Sequence, residues 1–152
     1  IDYCNSLYFG INANLLNKLQ YVQNSAARLL RKKNCFRDLS TLQYIRRCHW
    51  LRIRERIIFK LCLMVHKCLL GKAPSCLTEL LTCCSSERTI KLTQYPYRTS
   101  YGDRSFSRMG PKHWGLLPVD ARKESDTDKF KQKLKTFLFE NYERFAQKLK
   151  ER

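Results

Sequence analysis

No run of 18 apolar residues occurs anywhere in this chain, which excludes a conventional membrane-spanning helix. Acidic residues are also scarce: thirteen Asp and Glu face thirty Lys and Arg, for a net charge of +17. So one-sided a field attracts polyanions, and nucleic acid is the expected partner ahead of an anionic membrane. The six aspartates (Asp2, Asp38, Asp103, Asp120, Asp126 and Asp128) are scattered. A nucleic-acid polymerase needs clustered carboxylates to hold two metal ions about 4 Å apart, so no catalytic residue is assigned. Eight cysteines are present, yet none forms the C-x2-C or C-x2-4-C knuckle that brings two ligands onto one zinc tetrahedron. Cys62 and His66, four apart, can share a helix face, but no second pair accompanies them. Free thiols, no metal and no cofactor are therefore expected. Methionine occurs only at Met64 and Met109, so the chain is expected to be a piece whose natural start lies elsewhere. No basic, apolar, small-residue leader is seen, and an intracellular chain, in nucleus or cytoplasm, is expected.

What is present is mostly helical periodicity. Leu15, Leu19, Val22, Ala26 and Leu29 recur at alternating spacings of four and three within a helix from about Asn14 to Lys33. Asn12 or Asn14 can cap its start, and Arg31, Lys32 and Lys33 suit its negative end. Ser40 can cap a short second helix that turns Leu42 and Ile45 inward, and His49-Trp50-Leu51 reads as a bend. A third helix over Arg52 to Leu70 carries Ile53, Ile57, Leu61, Met64 and Cys68, with Gly71 placed for a left-handed cap. It is the most apolar segment and the expected centre of the core. Pro74 and Ser75 open a short helix with Leu77, Leu80 and Leu81. From Cys83 to Pro118, Gly102, Gly110, Gly115, Pro96, Pro111 and Pro118 punctuate an irregular connector with a brief strand at Thr89–Thr93. Ser125 or Asp126 caps a last helix through Phe130, Leu134, Phe137, Asn141, Phe145 and Leu149. The expected fold is an all-α, irregular bundle of about five helices, organised as residues 1–82, 83–118 and 119–152.

The positive charge comes in two waves. Arg28, Arg31, Lys32, Lys33 and Arg37 form the first; Arg46, Arg47, Arg52, Arg54, Arg56 and Lys60, around His49 and Trp50, form the second. Guanidinium groups pair bidentately with phosphate oxygens, and each neutralised phosphate releases counterion. The expected nucleic-acid-binding set is Arg28, Arg31, Lys32, Lys33, Arg46, Arg47, Arg52, Arg54, Arg56 and Lys60, and Glu55 is the one acid within the second wave. Trp50 reads as a core residue rather than a base-stacking platform. The C-terminal charges (Lys129, Lys131, Lys133, Lys135, Arg144, Lys148, Lys150 and Arg152) are mixed with Glu140, Glu143 and Glu151 and read as a salt-bridged solvent face. His66 on its apolar helix reads as structural, and His49 and His113 lack a nucleophile at any recognisable motif.

Five stretches then align in order with one family. Asp2-Tyr3-Cys4-Asn5-Ser6-Leu7 through Leu16-x-Lys18-Leu19-Gln20-x-Val22-Gln23-Asn24-x-Ala26-Ala27-Arg28-Leu29 is similar to the LDYCNSLL…LLxKLQxVQNxAARL run of non-LTR (LINE-type) retrotransposon reverse transcriptases, of the jockey and chicken-repeat kinds. His49-Trp50-Leu51-x-Ile53-x-x-Arg56-Ile57-x-Phe59-Lys60 resembles their HWLPVxxRIxFK. Lys67-x-Leu69-x-Gly71-x-Ala73-Pro74-x-x-Leu77 resembles KxLxGxAPxYL. Gly102-Asp103-Arg104-Ser105-Phe106-Ser107 with Pro111-x-x-Trp114-x-x-Leu117-Pro118 resembles GDRAFS…APxLWNSLP. Phe130-Lys131-x-x-Leu134-Lys135-Thr136-x-Leu138-Phe139 resembles FKxxLKTHLF. The resemblance implies the region after the catalytic palm: a thumb-like part over 1–82 and a C-terminal extension, lying against RNA, an RNA–DNA hybrid or a template–primer duplex, with the upstream palm as a further partner. Tyr101-Gly102-Asp103-Arg104 begins like that family's Y-x-D-D loop, but Arg104 stands where the second carboxylate would be. Arg52 for proline, Met109-Gly110 for a small apolar pair and Gly115 for asparagine depart from the pattern. A scaffold tail packed on the palm, or a translated relic without a role, are the alternatives to a nucleic-acid-binding piece.

Overall fold

Asn12 opens the first helix of the computed structural model: its Oδ1 accepts the Asn14 N–H at 2.9 Å. That bond satisfies one of the N–H groups left without a partner at a helix start. The structure describes residues 3–33, 40–86, 89–93, 96 and 99–141. After a single 3₁₀ turn (Asn5–Tyr8) come α1 (Ala13–Lys33), α2 (Thr41–Arg47), α3 (Ile53–Leu69) and α4 (Ser75–Thr78). A two-stranded antiparallel ribbon follows, β1 (Cys83–Ser86) and β2 (Thr89–Leu92), pairing Cys83 with Leu92 and Ser86 with Thr89. Then come α5 (Ser100–Asp103), α6 (Phe106–Gly115), α7 (Val119–Arg122) and α8 (Thr127–Glu140). Five helices of seven residues or more thus lie among the described residues, and the class is all-α with one small ribbon. None of the described helices is long and apolar enough to cross a membrane.

The chain divides into two units, Ile1–Ile57 and Ile58–Arg152, with the change falling inside α3. In the first, α1 packs on α2 through Ala27, Tyr44 and Ile45, against which Cys48 and Trp50 lie half-buried. Trp50 therefore belongs to this core. The apolar stripe Leu15–Val22–Leu29 does not: these residues are 52%, 56% and 70% exposed. The line that α1 buries runs farther round the helix, through Gln23 and Ala27. Ala27 is small enough to let α2 approach, and Gln23 is buried because its amide has a fixed partner, described below.

In the second unit the core is built on α3, whose Ile58, Leu61, Cys62, Val65, His66 and Cys68 are all buried. The His66 ring stacks on Phe130 of α8 at 4.0 Å between centroids, 7° from parallel. Trp114 of α6 closes the group, tilted against Phe130 at 5.7 Å. Helix α3 ends as Gly71 predicts. Gly71 takes φ +66, its N–H reaches the Cys68 carbonyl, and Lys72 N–H reaches the Lys67 carbonyl, so both bonds of a Schellman cap are present. Asp126, not Ser125, caps α8 by accepting the Asp128 N–H at 2.8 Å.

The segment 83–118 is less irregular than its glycines and prolines imply. Helix α6 runs straight through Gly110-Pro111, which normally breaks a helix. It persists because Met109, Gly110, Pro111, His113 and Trp114 are all buried, and tertiary packing overrides propensity. His113 adds an Nδ1–H bond to the Met109 carbonyl at 2.9 Å, and burial pushes its pKa down to about 4, so the ring is neutral. Gly110 is needed for clearance: a Cβ there would sit 2.9 Å from Val65 Cγ2, a stiff β-branched side chain in the core. Gly110→Ala is expected to destabilise by about 1–2 kcal/mol, the overpacking cost exceeding the roughly 1 kcal/mol gained in helix propensity. Gly115→Ala, with nothing within 4 Å of its Cβ, is the control and should be neutral or stabilising. Urea unfolding of both variants checks this; equal gains at both sites would contradict it.

Candidate nucleic-acid interface

The second wave of arginines sits on a turn whose construction runs through three elements of the first unit. Ser40 and Gln43 make a reciprocal capping box at the start of α2, Ser40 Oγ accepting the Gln43 N–H at 3.2 Å and Gln43 Oε1 accepting the Ser40 N–H at 2.9 Å. Helix α2 ends in Arg46 and Arg47, both exposed, where cations offset the negative end of its dipole. His49 then turns left-handed, at φ +51. Its N–H reaches the Arg46 carbonyl at 2.9 Å and Trp50 N–H reaches the Ile45 carbonyl at 3.0 Å, a second Schellman cap. Its usual hydrophobic contact is Trp50 against the cluster containing Ile45.

The entry to α3 has no cap of its own, because Arg52 precedes it and a guanidinium cannot accept a hydrogen bond. Helix α1 supplies the missing acceptor. Gln20 Oε1 accepts the Ile53 N–H at 3.0 Å, while Gln23 Nε2 donates to the Leu51 carbonyl at 2.8 Å. Gln20 Nε2 in turn donates to Gln23 Oε1 and to Asn24 Oδ1, both at 2.9 Å. These amides clasp the bend and replace the stiffness that a proline at position 52 would give. Sequence reasoning passed over Gln20 and Gln23. The available signal was two glutamines three apart on a helix, followed by a helix start without a Ser, Thr, Asp or Asn.

The expected binding residues do not all share one face. Arg28, Arg46 and Arg47 are exposed, and the Arg28 guanidinium lies over the Tyr21 ring at 5.6 Å. Arg52, Arg54 and Arg56 are half-buried and Lys60 is exposed. On α3, Arg56 and Lys60 are four apart and lie on one side, with Arg52 four residues before Arg56. Arg54 does not join them: two residues along a helix turn the side chain by about 200°, so Arg54 and Arg56 diverge. Arg31, Lys32 and Lys33 end α1, and their side chains, like the whole of Arg37, lie outside the described residues. Glu55, the described acid of this unit, is 4% exposed, and burial pushes its pKa up to about 7 against the pull of its own backbone N–H, Arg52 and Arg54. The described surface here is therefore cationic.

Elsewhere, several of the described polar groups are tied into the fold. His66 is held in the aromatic stack with Nε2 lying 2.9 Å from the Glu124 carbonyl, and burial lowers its pKa. The Cys62 thiol is fully buried, and that burial pushes its pKa up to about 12. Among the described residues, no three His, Cys, Asp or Glu converge as metal ligands. Asp103 is paired with Arg108. Lys131 of α8 pairs with Asp128 at 2.8 Å and Lys133 with Glu124, just before the helix, at 2.7 Å; these are not the expected partners, of which Glu143 and Glu151 lie outside the described residues. Comparison with protein-family models, curated proteins and solved structures finds no match for this chain.

Proposed function

We propose that the chain is a non-catalytic piece of a retrotransposon RNA-directed DNA polymerase, from beyond the palm, that binds RNA or a template–primer duplex through phosphates. The resemblance of its five ordered stretches motivates the family. The observation that carries the binding is the unit Ile1–Ile57, where the exposed described charges are cationic and the described carboxyl, Glu55, is buried. Arg46, Arg47, Arg52 and Arg56 are the first choice for phosphate contact, followed by Arg28. The compartment this implies is intracellular, in a ribonucleoprotein of nucleus or cytoplasm. The test is fluorescence anisotropy with a 20-base-pair RNA–DNA hybrid at several salt concentrations. Four phosphate contacts, at the roughly 0.9 slope per phosphate of duplex DNA, give about a hundredfold loss of affinity between 50 and 200 mM salt. Affinity indifferent to salt, or no binding at 50 mM, would end this reading.

One observation favours a second reading, a tail that packs on an upstream domain: Leu15, Val22 and Leu29 stand in solvent. Contiguous exposed apolar residues of this kind mark interaction sites. The two readings use different faces of α1 and are compatible.

A further inference from the structure

Helix α1 is apolar over more of its circumference than the first unit uses. Gln23 and Ala27 face its own core, and next to that line Leu15, Val22, Ala26 and Leu29 are exposed, with Leu19 half-buried. The spacing along this stripe alternates four, three, four, three, an average of 3.5 residues. A straight helix places such residues in a narrow seam, the kind that packs knobs into holes against a second helix at a shallow angle. From Leu15 to Leu29 the seam is about 21 Å long, at 1.5 Å per residue. The border away from its own core carries positive charge. Lys18 flanks it, exposed, and residues 3–33 contain no Asp or Glu. In helix pairs, the residues beside the seam choose the partner by charge. A second copy of this +17 chain would set cation against cation.

We infer that the Leu15–Leu29 seam receives one amphipathic α-helix of the domain on which this tail packs, a helix whose apolar stripe is bordered by acidic residues. This deepens the packing reading above and rests on it. The 3.5-residue spacing selects a helix over a flat lipid surface, and the bordering Lys18 selects carboxylates. Three side chains carry the contact, and removing them leaves every positive charge in place.

The test uses the full chain and its triple variant Leu15→Gln, Val22→Gln, Leu29→Gln; all three residues are exposed, so the fold is expected to persist, as circular dichroism will verify. Three labelled 21-residue peptides are titrated: a leucine-seamed helix with Glu borders, the same helix with Lys borders, and a scramble of the Glu peptide. The Glu-bordered helix should bind at least tenfold tighter than either other peptide, and the triple variant should lose at least that factor. Equal binding of the scramble, or an unchanged triple variant, overturns the inference in favour of bare charge attraction. Equal binding of the Lys-bordered helix removes the acidic partner. Seam-dependent self-association in sedimentation, or seam-dependent binding to phosphatidylserine vesicles without peptide preference, assigns another occupant and equally overturns it. An apolar dye separates the two levels. If the parent binds no more dye than the triple variant, the packing reading itself fails; if dye binding falls in the variant while the peptides do not discriminate, only the acidic helix is wrong.

Discussion

Phe130→Ala is expected to cost the second unit about 3–5 kcal/mol, the range for truncating a buried aromatic ring. Phe130 is fully buried and forms the middle of a three-ring group, stacked on His66 and tilted against Trp114. Removing it takes away one wall of the His66 site and opens a cavity between α3, α6 and α8 that rigid neighbours cannot refill. Since whole domains are stable by only about 5–15 kcal/mol, the variant should be near its unfolding threshold at 37 °C. Each unit holds one tryptophan, Trp50 in the first and Trp114 in the second. Urea unfolding followed by fluorescence in a Trp50→Phe background therefore reports on the second unit alone. A loss below about 1 kcal/mol would mean that the stack is not the centre of this core.

Glu55→Gln should stabilise the protein at alkaline pH and not at acid pH. The folded pKa of Glu55, about 7, lies above its unfolded value of 4.5. Stability from its protonated form is thus fully present below pH 4.5 and is lost as pH rises through 7. At 1.36 kcal/mol per pKa unit the loss amounts to about 3 kcal/mol by pH 8. Glutamine stays neutral throughout, so the advantage of the variant over the parent should grow by about that amount between pH 4.5 and pH 8. Denaturant unfolding at the two pH values, followed through Trp50, measures the difference. An advantage that is the same at both ends would show that Glu55 ionises normally.

Helical periodicity carried most of the fold. The α1 and α3 boundaries, the start of α8, the Ser40 cap, the Gly71 turn and the burial of Ile53, Ile57, Leu61 and Cys68 follow from spacing and capping chemistry that act within a few residues; α8 closes at Asn141, and Phe145 and Leu149, expected to continue it, lie outside the described residues. Two things did not follow. Helix α6 was hidden because Gly110-Pro111 reads locally as a stop, and only burial against α3 carries the helix past it. The orientation of α1 was hidden because its most regular apolar stripe is the exposed one, while the buried line runs through Gln23. Polar residues enter a core when they find a distant partner, here the Leu51 carbonyl 28 positions away, and no local pattern announces it. For the proposed binding residues, sequence identified the cationic segment but treated Arg54 and Arg56 as equivalent, although a helix aims them apart.

Binding that is located on the first unit is the central claim, and charge neutralisation there tests it most directly. One variant carries Gln at Arg46, Arg47, Arg52 and Arg56; a control carries Gln at Lys112, Lys123, Lys129 and Lys135 of the second unit, the same loss of charge. Salt titrations with the RNA–DNA hybrid should show the first variant losing most of its affinity and about 3–4 of the log–log salt slope, with the control keeping nearly all of both. Equal losses in the two variants would contradict a site on Ile1–Ile57.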